Sequence, residues 1–145
     1  MAKADDELLG YGSCATLDEQ RWIFECTDFL NDYSRILLPR PDVSERDFYI
    51  LEIAIKPEYQ HQGIGTEITK AQIEMATKEK APMMYVNSWM KGNSHKMYQK
   101  LGFMKLVGAR NFYANGDSTL FMGLRTNQGQ SLKDTLRNLF VGLDR

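Results

Sequence analysis

The chain has 145 residues, of which 43% are hydrophobic and 26% charged, and its formal net charge is −1. That length favours a single domain over 1–145, and the composition is that of an ordinary soluble globular protein. The near-zero charge gives no electrostatic reason to expect nucleic acid. No apolar run reaches the roughly 18 residues a membrane span needs, and no Cys-x-x-Cys or Cys/His cluster is present to hold a metal.

Met1–Glu7 is acidic and lacks the apolar core of a signal peptide, so a cytoplasmic location is expected by default. Residues 8–16 read as a strand and 21–30 as a second, with Leu17-Asp18-Glu19-Gln20 as the turn of a hairpin. Residues 31–46 carry Pro39, Pro41 and Asp42 and read as a long loop, with Arg35, Arg40 and Glu45 available to an acceptor. Phe48–Ile55 is a nearly unbroken apolar strand suited to the middle of a sheet. Ile64, Ile68, Ala71 and Met75 fall at helical spacing, and Pro82 ends that helix. Residues 83–87 form the next strand. Asn93 or Ser94 caps a short helix that stops at Gly102. Strands 103–107 and 119–124 flank the tight turn Asn115-Gly116. Ser131 caps a final helix, 131–143, with Leu132, Leu136, Leu139, Phe140 and Leu143 on one face. The sum is an α/β (α+β) mixture on one mostly antiparallel sheet.

The most informative stretch lies between the apolar strand and the first long helix. Gln60-His61-Gln62-Gly63-Ile64-Gly65 has two glycines and no acidic residue. A helix start presents unpaired N–H groups and the positive end of a dipole, and glycines let a ligand approach the backbone. A phosphate-bearing ligand held just before residue 65 is the direct inference. A plain tight turn is the competing reading.

Gln60-x-x-Gly63-x-Gly65 after a strand ending Ile55-x-Pro57, followed by Tyr98-x-x-Leu101-Gly102-Phe103, resembles the GCN5-related N-acetyltransferase (GNAT) superfamily. Each motif is short; the two in order at this spacing carry the likeness over about 48–124. The resemblance implies the GNAT fold, a central twisted sheet with two splayed parallel strands and flanking helices. It implies acetyl-CoA as cofactor, held at Gln60, His61, Gln62, Gly63, Ile64, Gly65 and Thr66, with the pantetheine arm paired along Ile53, Ala54 and Ile55. It implies Tyr98 as general acid toward departing CoA. It implies transfer to a primary amine, on a small molecule or a protein, by direct attack in a ternary complex. Many members carry an asparagine seven residues before this tyrosine. Lys91 stands there, and Asn93 is the nearby candidate for the cofactor. The N-terminal helical pair that walls the acceptor site in that family reads as shortened or absent. Trp89–His95 also resembles GNAT-like proteins of tailed phages, so a catalytically inactive GNAT-fold binding or structural protein is the alternative.

Glu52 is the lone charge between Phe48 and Ile55. A carboxylate in an apolar strand needs a partner, water or a raised pKa, and a raised pKa suits a base for an ammonium substrate. An ion pair or an outward-facing position is the structural reading. Tyr98 reads as acid or as a core aromatic. His95 reads as a phenol-orienting or solvent-facing residue, and His61 as a phosphate donor or an exposed loop residue. Lys91, Lys96 and Lys100 read as solvated surface or as partners of a 3′-phosphate. Trp22, Phe24 and Trp89 belong to the core or line an acceptor pocket. Exposed strand edges and the terminal helix leave room for a homodimer.

Overall fold

The computed structural model describes residues 1–19 and 44–126. The expected strand 21–30, most of the loop 31–46 and the helix 131–143 lie outside the described residues, with Trp22, Phe24, Arg35, Arg40 and Asp42. No helix among the described residues is long and apolar enough to cross a membrane.

The acidic N-terminus, read above only as a non-signal, forms β1 (Ala2–Ala4), which pairs antiparallel with β2 (Glu7–Thr16). Asp5 and Asp6 join them with φ of 48° and 64°, the two successive positive values a tight hairpin turn requires. The expected turn at residues 17–20 is instead a helix start, since residues 17–19 are helical. The local reason is a capping box. Thr16 Oγ1 accepts from the Glu19 N–H at 3.1 Å, and Glu19 Oε2 accepts from the Thr16 N–H at 2.9 Å.

β3 (Phe48–Ile55) leads through a 3₁₀ turn at Pro57–Tyr59 into α1 (Ile64–Lys78). β4 (Met83–Trp89) leads into α2 (Ser94–Lys100), and β5 (Met104–Ala109) and β6 (Thr119–Arg125) close the described chain. Residues 110–118 connect β5 to β6, a longer loop than the expected two-residue turn. The sheet order is β1-β2-β3-β4-β6-β5. Every pairing is antiparallel except β3 with β4.

The β3–β4 pairing is short, Phe48 against Met84 and Tyr49 against Tyr85. Asp47, fully buried, pins the closed end of this pair. Its carboxyl accepts from the Ser44 N–H at 2.7 Å and from the Met83 N–H at 3.0 Å, so the starts of both strands hang from one side chain. Polar atoms at such depth persist only when hydrogen-bonded.

The sheet has a core on each face. Phe48, Ile50, Met84, Val86 and Met122 pack with Ala76 of α1 and Tyr98 of α2. Tyr49, Tyr85, Phe112, Phe121 and Leu17 form the core of the opposite face. In β3 the two-residue alternation breaks once. Ser13 pairs with Glu52 but Cys14 pairs with Ile50, so Leu51 is an extra residue, a β-bulge. Beyond it Ile53 packs on the helix-side core.

α1 buries a face rotated from the expected one. Ile68, Thr69, Gln72 and Ala76 are buried, whereas Ala71 and Met75 are exposed. Thr69 fits inside because its hydroxyl donates to the Gly65 carbonyl at 2.8 Å. Gln72 packs under Gly12 of β2, where a Cβ would stand 2.7 Å from its Nε2.

Candidate active site

Beyond Tyr49 and Tyr85 the two parallel strands diverge. β3 stays with β2 and β4 stays with β6, and a cleft of about 500 Å³ opens between them. The bulge at Leu51 contributes, because an extra residue bends its strand. Ile53, Ile55, Gln60, Gly65, Ser88, Met97 and Tyr98 line the cleft on the helix side, and Tyr49, Asn87, Trp89 and Tyr113 line it on the other. It lies at the carboxyl ends of the parallel strands, where α/β sheets bind ligands.

At the α1 end, the first hydrogen bond onto the helix is from the Glu67 N–H to the Gly63 carbonyl, at 3.1 Å. No described residue accepts from the amides of residues 61–66. Gly63 has φ of 84° and open space where a Cβ would stand. His61 also takes positive φ, 61°, which is uncommon for a side-chain-bearing residue. Gly65 lies close to its neighbours: a Cβ there would meet Ile55 Cδ1 at 3.2 Å and Met97 Sδ at 3.4 Å. Six unpaired amides at a 15-residue helix start fit a diphosphate. The side chains of Gln60 and Gln62 brace this turn by donating to the Ile55 carbonyl at 3.1 Å and the Glu58 carbonyl at 3.4 Å.

Along β3 the main-chain groups alternate. The Lys56 N–H donates to the Leu9 carbonyl, and the Ala54 carbonyl lies against Gly10, so those groups face β2. Ile53 and Ile55 therefore face the cleft. The Ile55 carbonyl is engaged by Gln60, which leaves the main-chain groups of Ile53 and the Ile55 N–H facing the cleft.

Tyr98 is held by the motif that announced it. The Phe103 N–H donates to the Tyr98 carbonyl at 3.0 Å, and the Gly102 N–H to the Gln99 carbonyl at 3.0 Å. Gly102 supplies φ of 100°. This is a Schellman cap, so Tyr-x-x-Leu-Gly-Phe encodes a helix end. The Tyr98 ring meets the Phe103 ring edge-on, with centroids 5.4 Å apart. Burial pushes its phenol up to about 12. Its hydroxyl hydrogen-bonds to no described residue and lines the cleft, a protonated donor at neutral pH.

Glu52 lines the same cleft but is exposed, not embedded in the sheet as its apolar neighbours suggest. The bulge turns it to the face opposite the helices. There its carboxylate hydrogen-bonds the Tyr11 hydroxyl and raises that phenol's pKa. Asn93 is exposed at the start of α2, makes no side-chain cap and does not line the cleft. Two hydroxyls not among the expected site residues stand there instead, Ser88 and the cap candidate Ser94, 2.6 Å apart. Their signal is β4's period of two, which puts Ser88 on the face of Val86. His95 does not line the cleft, and Lys91 pairs with Asp117 at 2.6 Å. Across the cleft, Asn87 accepts from the Tyr49 hydroxyl and donates to the Tyr113 hydroxyl at 3.2 Å and to Thr119 Oγ1 at 3.3 Å. No group of metal-binding side chains exists among the described residues.

The profile of the acetyltransferase (GNAT) family matches residues 1–103. The chain belongs to that family. Among solved structures, this GNAT protein is similar to the ribosomal-protein-S18-alanine N-acetyltransferase of Escherichia coli, at 22% identity and a TM-score of 0.53, over 62% of this chain and 61% of that one. A putative acetyltransferase from Salmonella typhimurium, solved with acetyl-CoA, aligns at 14% identity and a TM-score of 0.63, over 89% of this chain and 64% of that one. A Bacillus subtilis acetyltransferase in complex with CoA aligns at 21% and 0.60, over 85% and 72%. At these identities the likeness is one of fold. The GNAT chain spans less than two thirds of the first two proteins, and no curated protein matches its sequence.

Proposed function

We propose that this GNAT protein is an acetyl-CoA-dependent N-acetyltransferase acting on a primary amine by direct attack in a ternary complex. One observation carries the reading: a single cleft runs from Gln60 and Gly65, which flank the unpaired amides at the start of α1, to a buried, protonated Tyr98. Acetyl-CoA supplies a thioester, an acyl group already activated toward nitrogen.

The chain's own groups have distinct tasks in this reading. The amides of 61–66 hold the diphosphate at the positive end of α1. The Ile53 main chain pairs with the pantetheine arm, and its N–H polarises the acyl carbonyl. Glu52, through water, takes a proton from the ammonium, so the nitrogen enters as a nucleophile. The Tyr98 hydroxyl gives its proton to the departing sulfur and is reprotonated by the proton the nitrogen sheds on becoming an amide. Two relatives by fold support an amine acceptor, the S18-alanine enzyme and a NatC complex bound to a peptide and CoA.

Titration calorimetry with acetyl-CoA, followed by CoA-release assays over a panel of amines, tests the proposal. Binding and amine-dependent release are expected. A protein that binds no acetyl-CoA would overturn it.

A further inference from the structure

The loop between β5 and β6 builds a second cavity, about 470 Å³, walled by Trp89, Tyr113, Ala114 and Asn115. Trp89 and Tyr113 also line the interstrand cleft, so the two spaces share a wall. β4's alternation puts Trp89 on the face of Tyr85 and Asn87, away from Tyr98.

One side chain organises this wall. Asp117 Oδ2 accepts from the Trp89 indole N–H at 2.8 Å and from Asn115 Nδ2 at 3.0 Å, and Oδ1 pairs with Lys91 at 2.6 Å. Its own N–H donates to Asn115 Oδ1 at 3.0 Å. Its main-chain carbonyl accepts from the Phe112 and Tyr113 amides at 3.0 and 3.1 Å. Asp117 therefore grips Trp89 through its side chain and Tyr113 through its backbone. The Asp117 side chain is only 11% exposed, and both oxygens are engaged, so it offers nothing to a cation on an incoming molecule. Lys91 offsets its charge. The described walls of the second cavity carry no other charge and two aromatic rings.

We infer that Asp117 is a positioning residue that sets Trp89 and Tyr113 as the walls of an uncharged acceptor subsite, fitted to an amine bearing an aromatic or apolar group. This rests on the N-acetyltransferase reading and narrows its substrate class. Aromatic walls reward flat apolar surface, and an uncompensated charge brought between them loses its hydration.

The test compares phenethylamine with ethylamine, putrescine and β-alanine in the CoA-release assay. The wild type should show kcat/KM at least about tenfold higher for phenethylamine than for the other three. Asp117→Ala should raise the KM for phenethylamine about tenfold with kcat changed less than about twofold. Asp117→Asn, which keeps an acceptor for the indole N–H, should recover most of that loss. In a Trp22→Phe background, Trp89 emission titrated with phenethylamine reads binding without turnover, and Asp117→Ala should shift that emission to longer wavelength. Preference for ethylamine, putrescine or β-alanine, no emission response to phenethylamine, or an unchanged KM in both Asp117 variants would overturn the inference while leaving the acetyltransferase reading intact. Loss of acetyl-CoA binding in calorimetry, with the phenethylamine response preserved, would sink the acetyltransferase reading and leave the subsite standing.

Discussion

Ile50 and Ile53 pack on the same side of β3 although three positions separate them. Side chains of a strand alternate faces, so only the extra residue at Leu51 reconciles the two. The same bulge moves Glu52 out of the helix-side core and onto the open face beside Tyr11. Deleting Leu51 puts Ile50 and Ile53 two positions apart, so both keep their face, Glu52 stays on the open one, and only the bend that opens the cleft is lost. Acetyl-CoA affinity should therefore fall about tenfold in calorimetry, a step of about 1.4 kcal/mol. Denaturant unfolding should show less than about 2 kcal/mol lost, since no core side chain changes face. Glu52→Leu with the bulge intact should stay within about 0.5 kcal/mol of wild type, as an exposed site does. Unchanged acetyl-CoA affinity in the Leu51 deletion would deny the bulge its part in opening the cleft.

Tyr98→Phe should lower kcat by at least about tenfold while calorimetric affinity for acetyl-CoA holds. Full turnover in the variant would remove the phenol from the chemistry. The phenol also predicts a pH dependence of stability. Burial raises its pKa from 10.0 to about 12, so the folded state keeps the proton longer than the unfolded chain. Below pH 10 both states are protonated and Tyr98 adds no slope. Between 10 and about 12 the unfolded chain ionises first, and stability falls as pH rises. Unfolding measured across that window should show a shallower fall in Tyr98→Phe.

Gly63→Ala places a side chain at φ of 84° with nothing near it to clash. The cost is therefore conformational, about 1–2 kcal/mol of stability. Because relief of that strain rotates the amides on either side, acetyl-CoA affinity should drop about tenfold, a step of about 1.4 kcal/mol. Calorimetry and thermal unfolding measure the two effects separately. Unchanged affinity would mean that the diphosphate is held elsewhere.

Gln72 is buried, and neither of its amide atoms has a hydrogen-bond partner. A desolvated, unpaired amide is destabilising, so Gln72→Leu should raise stability by about 1–2 kcal/mol in urea unfolding. A loss of stability would reveal a partner for the amide, such as a buried water.

The glycine turn and Tyr98 were legible because each is written in a local conformational demand. Gly63 and Gly102 occupy positive φ, and Gly102 with Phe103 closes the helix that carries Tyr98. The Asp5-Asp6 hairpin and the Thr16/Glu19 capping box are local too, but the acidic Met1–Glu7 reads only as a non-signal and Leu17–Gln20 as a hairpin turn. The outward face of Glu52, the position of Asn93 outside the cleft and α1's buried face follow from tertiary packing instead. A bulge changes which side a residue faces without changing the apolar run that contains it. Likewise Asn93 and Ser94 are adjacent in sequence, yet only Ser94 meets a strand residue, Ser88, six positions away.

Most of the described elements, the family and the glycine turn follow from the order of residues, since backbone preference and short-range hydrogen bonding act over a few positions. Tertiary structure alone decided that β3 and β4 part after two residue pairs, that Asp47 pins their starts, and that Asp117 joins Trp89 to the loop carrying Tyr113. Those are contacts between segments distant in the chain. Their energies depend on burial and geometry that exist only once the sheet has formed.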